Sequence, residues 1–197
     1  MKAATALLAA TALSLTLLPA TQAAEAAPAK GMAALLGSDL VDAEGNDVSL
    51  DKLKGKVVGL YFSAHWCPPC RAFTPKLVKY HGENKDNFEV VFVSSDRDAA
   101  AHKGYMKEAK MPWYTVRYGS DTVAALKKKY EVRGIPSLVM LTPDGETISK
   151  DGRAMVGENV SAKKIATAKI VEEEYNCGKC SKIHVRKKVV YAADGVE

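Results

Sequence analysis

The sequence predicts an α/β fold in which helices flank a central mixed β-sheet. Two almost continuous apolar runs, Val57 to Ser63 and Phe88 to Val93, have the composition of strands buried on both faces of a sheet with parallel neighbours. Segments with helical spacing follow each run. A turn at Thr142 to Glu146 then joins two further extended segments as a hairpin. Strands that alternate with helices and end in a hairpin favour a sheet packed between helical layers.

The individual elements follow from local patterns. A short hairpin is predicted around the Glu-Gly-Asn turn at 44–46, ahead of the first buried strand. The helix after that strand has an apolar stripe of four residues: Phe73, Leu77, Tyr80 and His81. A second helix is predicted from Asp98 to Lys110, and a third begins after Ser120, a residue type that commonly caps helices. A turn at Ile135-Pro136 leads into the next strand.

The N-terminus has the pattern of an export signal. A basic tip at Met1-Lys2 precedes an apolar run that Pro19 interrupts, and small residues follow. We therefore expect a signal peptide at 1–24, a linker at 25–37 and a secreted or periplasmic protein. An uncleaved anchor is the alternative, but the apolar run is short for a membrane span of about 20 residues. No stable membrane span is expected after cleavage.

The composition sets limits on size and on partners. The 197 residues leave one domain with a sizeable core, which we expect at 38–157, and a helical extension at 158–197. The formal net charge of +5 comes from basic residues that are spread along the chain. Such a mild excess does not indicate a nucleic-acid-binding protein.

The most informative motif is Cys67-Pro68-Pro69-Cys70, which lies where the first buried strand passes into a helix. Unpaired amides and the helix dipole favour a thiolate over a thiol at such a position, and the thiolate is the nucleophile. Pro68 and Pro69 suit a first helical turn because their missing N–H groups would have no partner there. Half of a zinc site and a purely structural disulfide are the alternatives, but zinc normally needs a second ligand pair.

These residues carry a resemblance to the thioredoxin superfamily, and more closely to its tryparedoxin/nucleoredoxin branch. The matching segments are the Tyr61 to Arg71 motif with Phe73-Thr74-Pro75, the strand at 88–93, Met111-Pro112-Trp113 and Gly134 to Leu138. The resemblance spans about Ser38 to Gly157. It implies the thioredoxin fold, with a central mixed sheet flanked by helices and a C-terminal extension beyond it.

The resemblance also implies roles for several residues. Cys67 would attack a substrate disulfide and Cys70 would resolve the mixed disulfide. The Ile135-Pro136 bond would be cis, would face the cysteines and would pair with an extended substrate, and Trp66 would form a flat contact surface. For Trp66 the alternative is packing in the core, and for Pro136 it is an ordinary turn proline.

Two departures separate the chain from thioredoxins proper. Tyr61 occupies the position of their buried acidic residue, six residues before Cys67, although tyrosine is usual there in the tryparedoxin/nucleoredoxin branch. Asp96 could replace that acid or could be an exposed loop residue. The Pro-Pro dipeptide replaces Gly-Pro, so the reduction potential cannot be carried over from the family.

A second cysteine pair lies in the C-terminal extension. Cys177 and Cys180 are followed by His184, and their nearest helix is predicted through Ala162 and Ile170. The pair could form a local disulfide, pass electrons to or from Cys67 and Cys70, or contribute to a zinc site. A local disulfide is favoured in an oxidising compartment, and a fourth zinc ligand is missing nearby. We expect no bound metal.

The sequence therefore predicts an exported thiol–disulfide oxidoreductase that reduces protein disulfides through Cys67 and Cys70. It needs no cofactor beyond that redox-active disulfide. Its expected partners are protein or small thiol and disulfide substrates and an unidentified electron donor. A disulfide oxidase or isomerase, and a non-catalytic binding module on the same fold, are the alternatives.

Overall fold

A computed structural model describes residues 31–167, 169–176 and 183–190. Six strands form the main sheet in the order β1-β4-β3-β2-β5-β6, and two more form a separate ribbon. A short 3₁₀ helix covers Leu50–Leu53. The strands are β1 (Leu40–Val41), β2 (Val57–Ser63), β3 (Phe88–Ser94), β4 (Tyr114–Val116), β5 (Ser137–Leu141), β6 (Thr147–Ser149), β7 (Lys169–Asn176) and β8 (Ile183–Val190). The helices are α1 (Met32–Leu36), α2 (Pro68–Asn84), α3 (Ala99–Glu108), α4 (Asp121–Lys129), α5 (Gly152–Gly157) and α6 (Ala162–Ala166).

The main sheet is mixed and has helices on both faces, as predicted. β2 pairs in parallel with β3 and antiparallel with β5, and every residue of β2 and β3 is buried. Successive side chains of β2 point to opposite faces. Tyr61 therefore packs with α2 and α3, whereas Phe62 packs with α1 and α4. Gly59 is required on the first face, because a Cβ there would lie 2.8 Å from the ring of Phe88.

Three chain segments meet at one edge of this sheet. The parallel register places Ser63, the last residue of β2, opposite Ser94, the last residue of β3. The antiparallel register places Ser137, the first residue of β5, opposite Phe62. The loops after β2 and β3 and the turn before β5 therefore meet at the same edge, which is where the predicted cysteine motif lies.

The C-terminal part of the predicted linker at 25–37 is helical. Helix α1 covers Met32–Leu36, and Met32, Leu35 and Leu36 are buried in the core on the α4 side of the sheet. Their spacing of three and four residues puts them on one helical face. The alanine-rich composition obscured this short stripe.

The predicted helix through Ile170 is also wrong, because α6 ends at Ala166 and the chain continues as strand β7. β7 pairs antiparallel with β8, and their register sets Glu172 opposite Lys187 and Glu173 opposite Arg186. In a helix the same glutamates would lie at the unfavourable C-terminal end. The extension is therefore a short helix followed by a β-ribbon.

Several predictions fall outside the described residues, namely the signal peptide at 1–24, the first part of the linker, and Cys177 and Cys180. The domain boundaries at 38 and 157 stay predictions. Within the described segments, no helix combines the length and the apolarity that crossing a membrane requires.

Candidate active site

Cys67 and Cys70 form a disulfide at the N-terminus of α2, and their Cα atoms lie 5.2 Å apart. Cys67 is the residue before the first helical position, and Pro68 and Pro69 fill the first two positions. Both cysteines are almost fully buried, with 4% of Cys67 and none of Cys70 exposed to solvent. The pair therefore reacts only with a partner that reaches the Cys67 side of the disulfide.

The start of α2 presents one amide to the sulfur of Cys67. The backbone N–H of Cys70 donates to Cys67 Sγ at 3.3 Å, and the N–H of Arg71 donates to the Cys67 carbonyl at 3.1 Å. Pro68 and Pro69 have no N–H to offer. A thiolate at Cys67 would thus be held by the Cys70 amide together with the positive end of the helix dipole.

The turn before β5 forms the opposite wall of the site. The Ile135-Pro136 peptide bond is cis, as predicted. The carbonyl oxygen of Ile135 lies 3.8 Å from Cys67 Sγ, and the Ile135 side chain packs against the two cysteines. Pro136 itself is buried. This wall leaves the Ile135 backbone beside the reactive sulfur.

The loop that carries Trp66 is anchored to the loop after β3. The indole N–H of Trp66 donates to the Ser95 carbonyl at 3.0 Å, while 52% of the residue remains exposed. The backbone N–H of His65 donates to Asp96 Oδ1 at 2.7 Å. Asp96 is buried and also accepts from the Ser94 hydroxyl, so it is not an exposed loop acid. Trp66 is therefore an oriented, exposed surface beside Cys67 and not a core residue.

Comparisons with known proteins agree with this geometry. A sequence profile described as "Thioredoxin-like" matches residues 55–147. The solved thioredoxin from Wuchereria bancrofti is 45% identical, with a TM-score of 0.59 over 67% of this chain and 94% of that one. Tryparedoxin II from Crithidia fasciculata is 38% identical, with a TM-score of 0.58 over 61% of this chain and 81% of that one. The chain belongs to the thioredoxin superfamily, in its tryparedoxin/nucleoredoxin-like branch.

A curated relative is much longer than this tryparedoxin/nucleoredoxin-like domain. "Probable nucleoredoxin 1" from Arabidopsis thaliana is 45% identical over 116 residues, which are 57% of this chain and 20% of that protein. Across the curated relatives compared, the matching region covers 20% to 31% of their length.

The expected secreted or periplasmic location is wrong. The curated relatives are nucleoredoxins, a group that is generally cytosolic or nuclear. A basic tip and an apolar run form a short pattern that depends on composition alone, whereas the relatives match the folded domain itself. The argument that an oxidising compartment favours a local disulfide at Cys177 and Cys180 fails with it.

Behind Cys70, where thioredoxins proper have an acid, this chain has a closed ring of four buried hydroxyl groups. Tyr61 Oη lies 2.8 Å from Thr74 Oγ1, which lies 2.6 Å from Tyr105 Oη. Ser63 Oγ closes the ring at 3.2 Å from Tyr105 Oη and 3.0 Å from Tyr61 Oη. Burial raises the pKa of Tyr61 far above its usual value, so the ring is neutral.

The ring is tied to the helix that carries Cys70. The Thr74 hydroxyl donates to the Cys70 carbonyl at 2.9 Å, and Tyr61 Oη lies 3.3 Å from the same oxygen. Sequence reasoning considered Tyr61 alone and missed its three partners. Ser63 could have been predicted because it lies two residues after Tyr61, on the same face of β2. Thr74 could have been predicted because it lies one helical turn after Cys70.

Two further contacts at the rim of the site were not predicted. The guanidinium of Arg153 donates to the Pro136 carbonyl at 3.3 Å and lies 5.5 Å from the centre of the Phe73 ring. His65 Nε2 lies 2.9 Å from Glu108 Oε2 at the end of α3. The sequence has no spacing that links these residues to the cysteines, because α5 and α3 come close to the site only when the chain folds. Among the described residues, no cluster of His, Cys, Asp or Glu could hold a metal ion.

Proposed function

We propose that this chain is a thiol–disulfide oxidoreductase that reduces disulfides through Cys67 and Cys70. The observation that supports this most strongly is the position of Cys67 Sγ. It lies at the start of α2, receives the Cys70 amide at 3.3 Å and lies 3.8 Å from the Ile135 carbonyl. A nucleophile, an anion-stabilising donor and a backbone acceptor for a substrate therefore share one edge of the sheet.

The reaction transfers two electrons and two protons from the dithiol to the substrate. The Cys67 thiolate attacks one substrate sulfur, a mixed disulfide forms, and the other substrate sulfur leaves as a thiolate that takes a proton. Cys70 then loses its proton and attacks Cys67 Sγ, which closes the protein disulfide and releases the second substrate thiol. A donor dithiol, from a protein or a small molecule, must return the two electrons before the next cycle.

Surrounding residues would position the substrate. An extended substrate segment would place its backbone against the Ile135 carbonyl beside Pro136, and the exposed face of Trp66 would pack against its side chains. Pro68 and Pro69 would hold the first turn of α2 in place. The substrates could be protein disulfides or small thiol disulfides, since tryparedoxin II has been solved in complex with glutathionylspermidine. Cys177 and Cys180 remain candidates for a second redox pair.

An insulin-reduction assay tests the proposal with dithiothreitol as electron donor. We expect turbidity to develop faster with the unmodified protein than with dithiothreitol alone, and Cys67→Ser to abolish the acceleration. Cys70→Ser should trap a mixed disulfide, because the resolving thiol is gone. A Cys177→Ser/Cys180→Ser variant is the matched control, since it removes two thiols and leaves the proposed site intact. Equal turbidity with the unmodified protein and with Cys67→Ser would refute the proposal.

The direction of transfer needs a separate measurement. Related dithiols span about −270 mV for reductants to about −120 mV for oxidants. Equilibration of the Cys67–Cys70 pair with glutathione should give a value towards the reducing end. A value near the oxidising end would replace the proposed reductase with an oxidase or isomerase.

A further inference from the structure

Asp96 carries a buried carboxylate that has no part in the disulfide exchange itself. It lies two residues after the end of β3, at the edge of the sheet where the loop that carries Trp66 begins. Only 8% of Asp96 is exposed to solvent. A carboxylate removed from water is costly unless hydrogen bonds satisfy it. The partners that satisfy this carboxylate therefore indicate what it does.

Every polar atom of Asp96 has a partner. Oδ1 accepts from the backbone N–H of His65 at 2.7 Å, and Oδ2 accepts from the Ser94 hydroxyl at 2.8 Å. The N–H of Asp96 donates to Ser94 Oγ at 2.9 Å, and its carbonyl accepts from the Tyr118 hydroxyl at 3.2 Å. Ser94 and Tyr118 thus fix Asp96 to the end of β3 and to the loop after β4. The bond to His65 then fixes the loop after β2 to Asp96.

The residue before Asp96 holds the same loop through its backbone. The N–H of Ser95 donates to the Ser63 carbonyl at 2.8 Å, and the Ser95 carbonyl accepts from the Trp66 indole at 3.0 Å. Of the bonds that Ser95 and Asp96 make to this loop, the one from His65 has a charged acceptor, and charge-assisted hydrogen bonds are the stronger kind. His65 directly precedes Trp66, so this bond determines where the indole begins.

The contacts of Asp96 do not extend to the resolving cysteine. Among the residues that the structure describes, no hydrogen bond joins Asp96 to Cys70. The side-chain oxygens next to the Cys70 carbonyl are the hydroxyls of Tyr61 and Thr74, at 3.3 and 2.9 Å. Each carboxylate oxygen of Asp96 already accepts a donor from elsewhere. This geometry favours a role in holding the loop over a role in taking the proton of Cys70.

We propose that Asp96 is a positioning residue that holds Trp66 beside Cys67 for an incoming substrate. The inference rests on the proposed function and names the residue behind its substrate-contact surface. Asp96 touches neither the substrate nor the reacting sulfurs and acts through the His65 amide. Trp66 is half exposed, so this anchorage replaces the packing that orients a core side chain. The position of the acceptor oxygen matters, whereas the charge and the acidity of Asp96 do not.

Three variants separate the position of the acceptor from its charge. Asp96→Asn keeps an oxygen in place for the His65 amide, and its NH₂ group can donate to Ser94 Oγ, so the geometry survives without the charge. Asp96→Glu keeps the acid but displaces it by the length of a methylene group. Asp96→Ala removes the acceptor. Each protein is reduced, freed of reductant, mixed with a synthetic peptide that has an internal disulfide, and quenched with acid at successive times.

The expected order of rates follows from the hydrogen bond to His65. Asp96→Asn should reduce the peptide at a rate within about twofold of the unmodified protein, because a neutral acceptor at the same place keeps the bond. Asp96→Ala and Asp96→Glu should be at least about tenfold slower, the factor expected when a hydrogen bond to a charged group is lost. The loss should appear as a higher peptide concentration for half of the maximal rate. Alkylation of Cys67 by iodoacetamide should not change, since the amide that holds its sulfur belongs to α2.

Glu89→Ala is the matched control for a general loss of stability. Glu89 is also a buried carboxylate, and it lies 2.9 Å from His81 Nε2, but it lies at the start of β3 and Asp96 lies beyond its end. Its removal should lower the melting temperature, as Asp96→Ala does, because both variants leave buried polar groups without a partner. Peptide reduction by the Glu89→Ala variant should match that of the unmodified protein.

The comparison of Asp96→Asn with Asp96→Glu decides the inference even where Asp96→Ala does not fold. Slow reduction by Asp96→Asn would show that the charge or the acid is required, and rapid reduction by Asp96→Glu would show that the position is not. Either result would overturn the inference and leave the proposed function intact. Equal slowing in Glu89→Ala would attribute the loss to stability and would also overturn it. Failure of the unmodified protein to reduce the peptide would refute the proposed function and the inference together.

Discussion

The number of amides at the start of α2 should control the reactivity of Cys67. The Cys67 sulfur accepts from the amide of Cys70, the third helical residue, at 3.3 Å. Side chains before a helix usually accept from the second or third helical residue, and here Pro69 leaves the second without an N–H. Pro69→Ala therefore adds a second donor in a suitable position and should favour the thiolate.

The size of the effect follows from the energy of one hydrogen bond. A hydrogen bond to a charged group contributes about 1.5–3 kcal/mol, and a long contact to sulfur at the edge of the site should contribute about 1 kcal/mol. One pH unit corresponds to about 1.4 kcal/mol, so the midpoint for ionisation of Cys67 should fall by about 0.7 unit. The midpoint is measured from the rate of iodoacetamide modification of the reduced protein against pH, with the Cys67 peptide followed by mass spectrometry.

Pro75→Ala is the matched control, because it also replaces a proline of α2 by alanine, but eight residues after Cys67. The amide gained there can join the helical ladder and should leave the midpoint unchanged. An unchanged or higher midpoint in Pro69→Ala would refute the reasoning. An equal fall in both variants would attribute the effect to helix flexibility and not to the added donor.

Three further predictions concern two buried residues, Tyr61 and Glu89, and the half-exposed Trp66. Tyr61→Phe opens the hydroxyl ring and should lower the free energy of unfolding in urea by about 1–3 kcal/mol. Burial opposes the ionisation of Glu89, but the hydrogen bond and charge of His81 hold the pKa of Glu89 below its usual value. The lowered pKa of Glu89 adds to the free energy of unfolding above the ordinary pKa of a glutamate, and this contribution is lost as the pH falls through the lowered pKa. The unmodified protein should therefore lose more stability between pH 6 and pH 3 than Glu89→Gln. Trp66→Ala should slow peptide reduction roughly tenfold, equivalent to about 1.4 kcal/mol, with only a small loss of melting temperature, because Trp66 is half exposed and gives up one hydrogen bond, to the Ser95 carbonyl.

The parts of the fold that the sequence predicts correctly are those in which local pattern and burial agree. β2 and β3 are apolar at almost every position because both faces are covered, and the predicted strand at 88–93 differs from β3 only by Ser94. The stripe on α2 is buried as expected. The errors at α1 and β7 arise where neighbours decide the structure. α1 has five residues and depends on the core it covers, whereas β7 depends on its pairing with β8.

The candidate site divides in the same way. Cys67, Cys70 and the two prolines are close in sequence, so their geometry follows from one helix start. The contact between Thr74 and Tyr105 spans 31 residues and the contact between Arg153 and Pro136 spans 17. Both depend on how the helices pack on the sheet. A hydroxyl or a guanidinium without a motif around it gives no indication of such a contact in the sequence.

Directly behind Cys70, this site has hydroxyl groups in place of an acid. The ring behind Cys70 is neutral, since the pKa of Tyr61 is raised by burial and the other members are hydroxyls. The buried carboxylate of Asp96 accepts from the His65 amide, in the loop before Trp66, and from the Ser94 hydroxyl. The later attack by Cys70, which is fully buried, should therefore respond to pH and hardly to ionic strength.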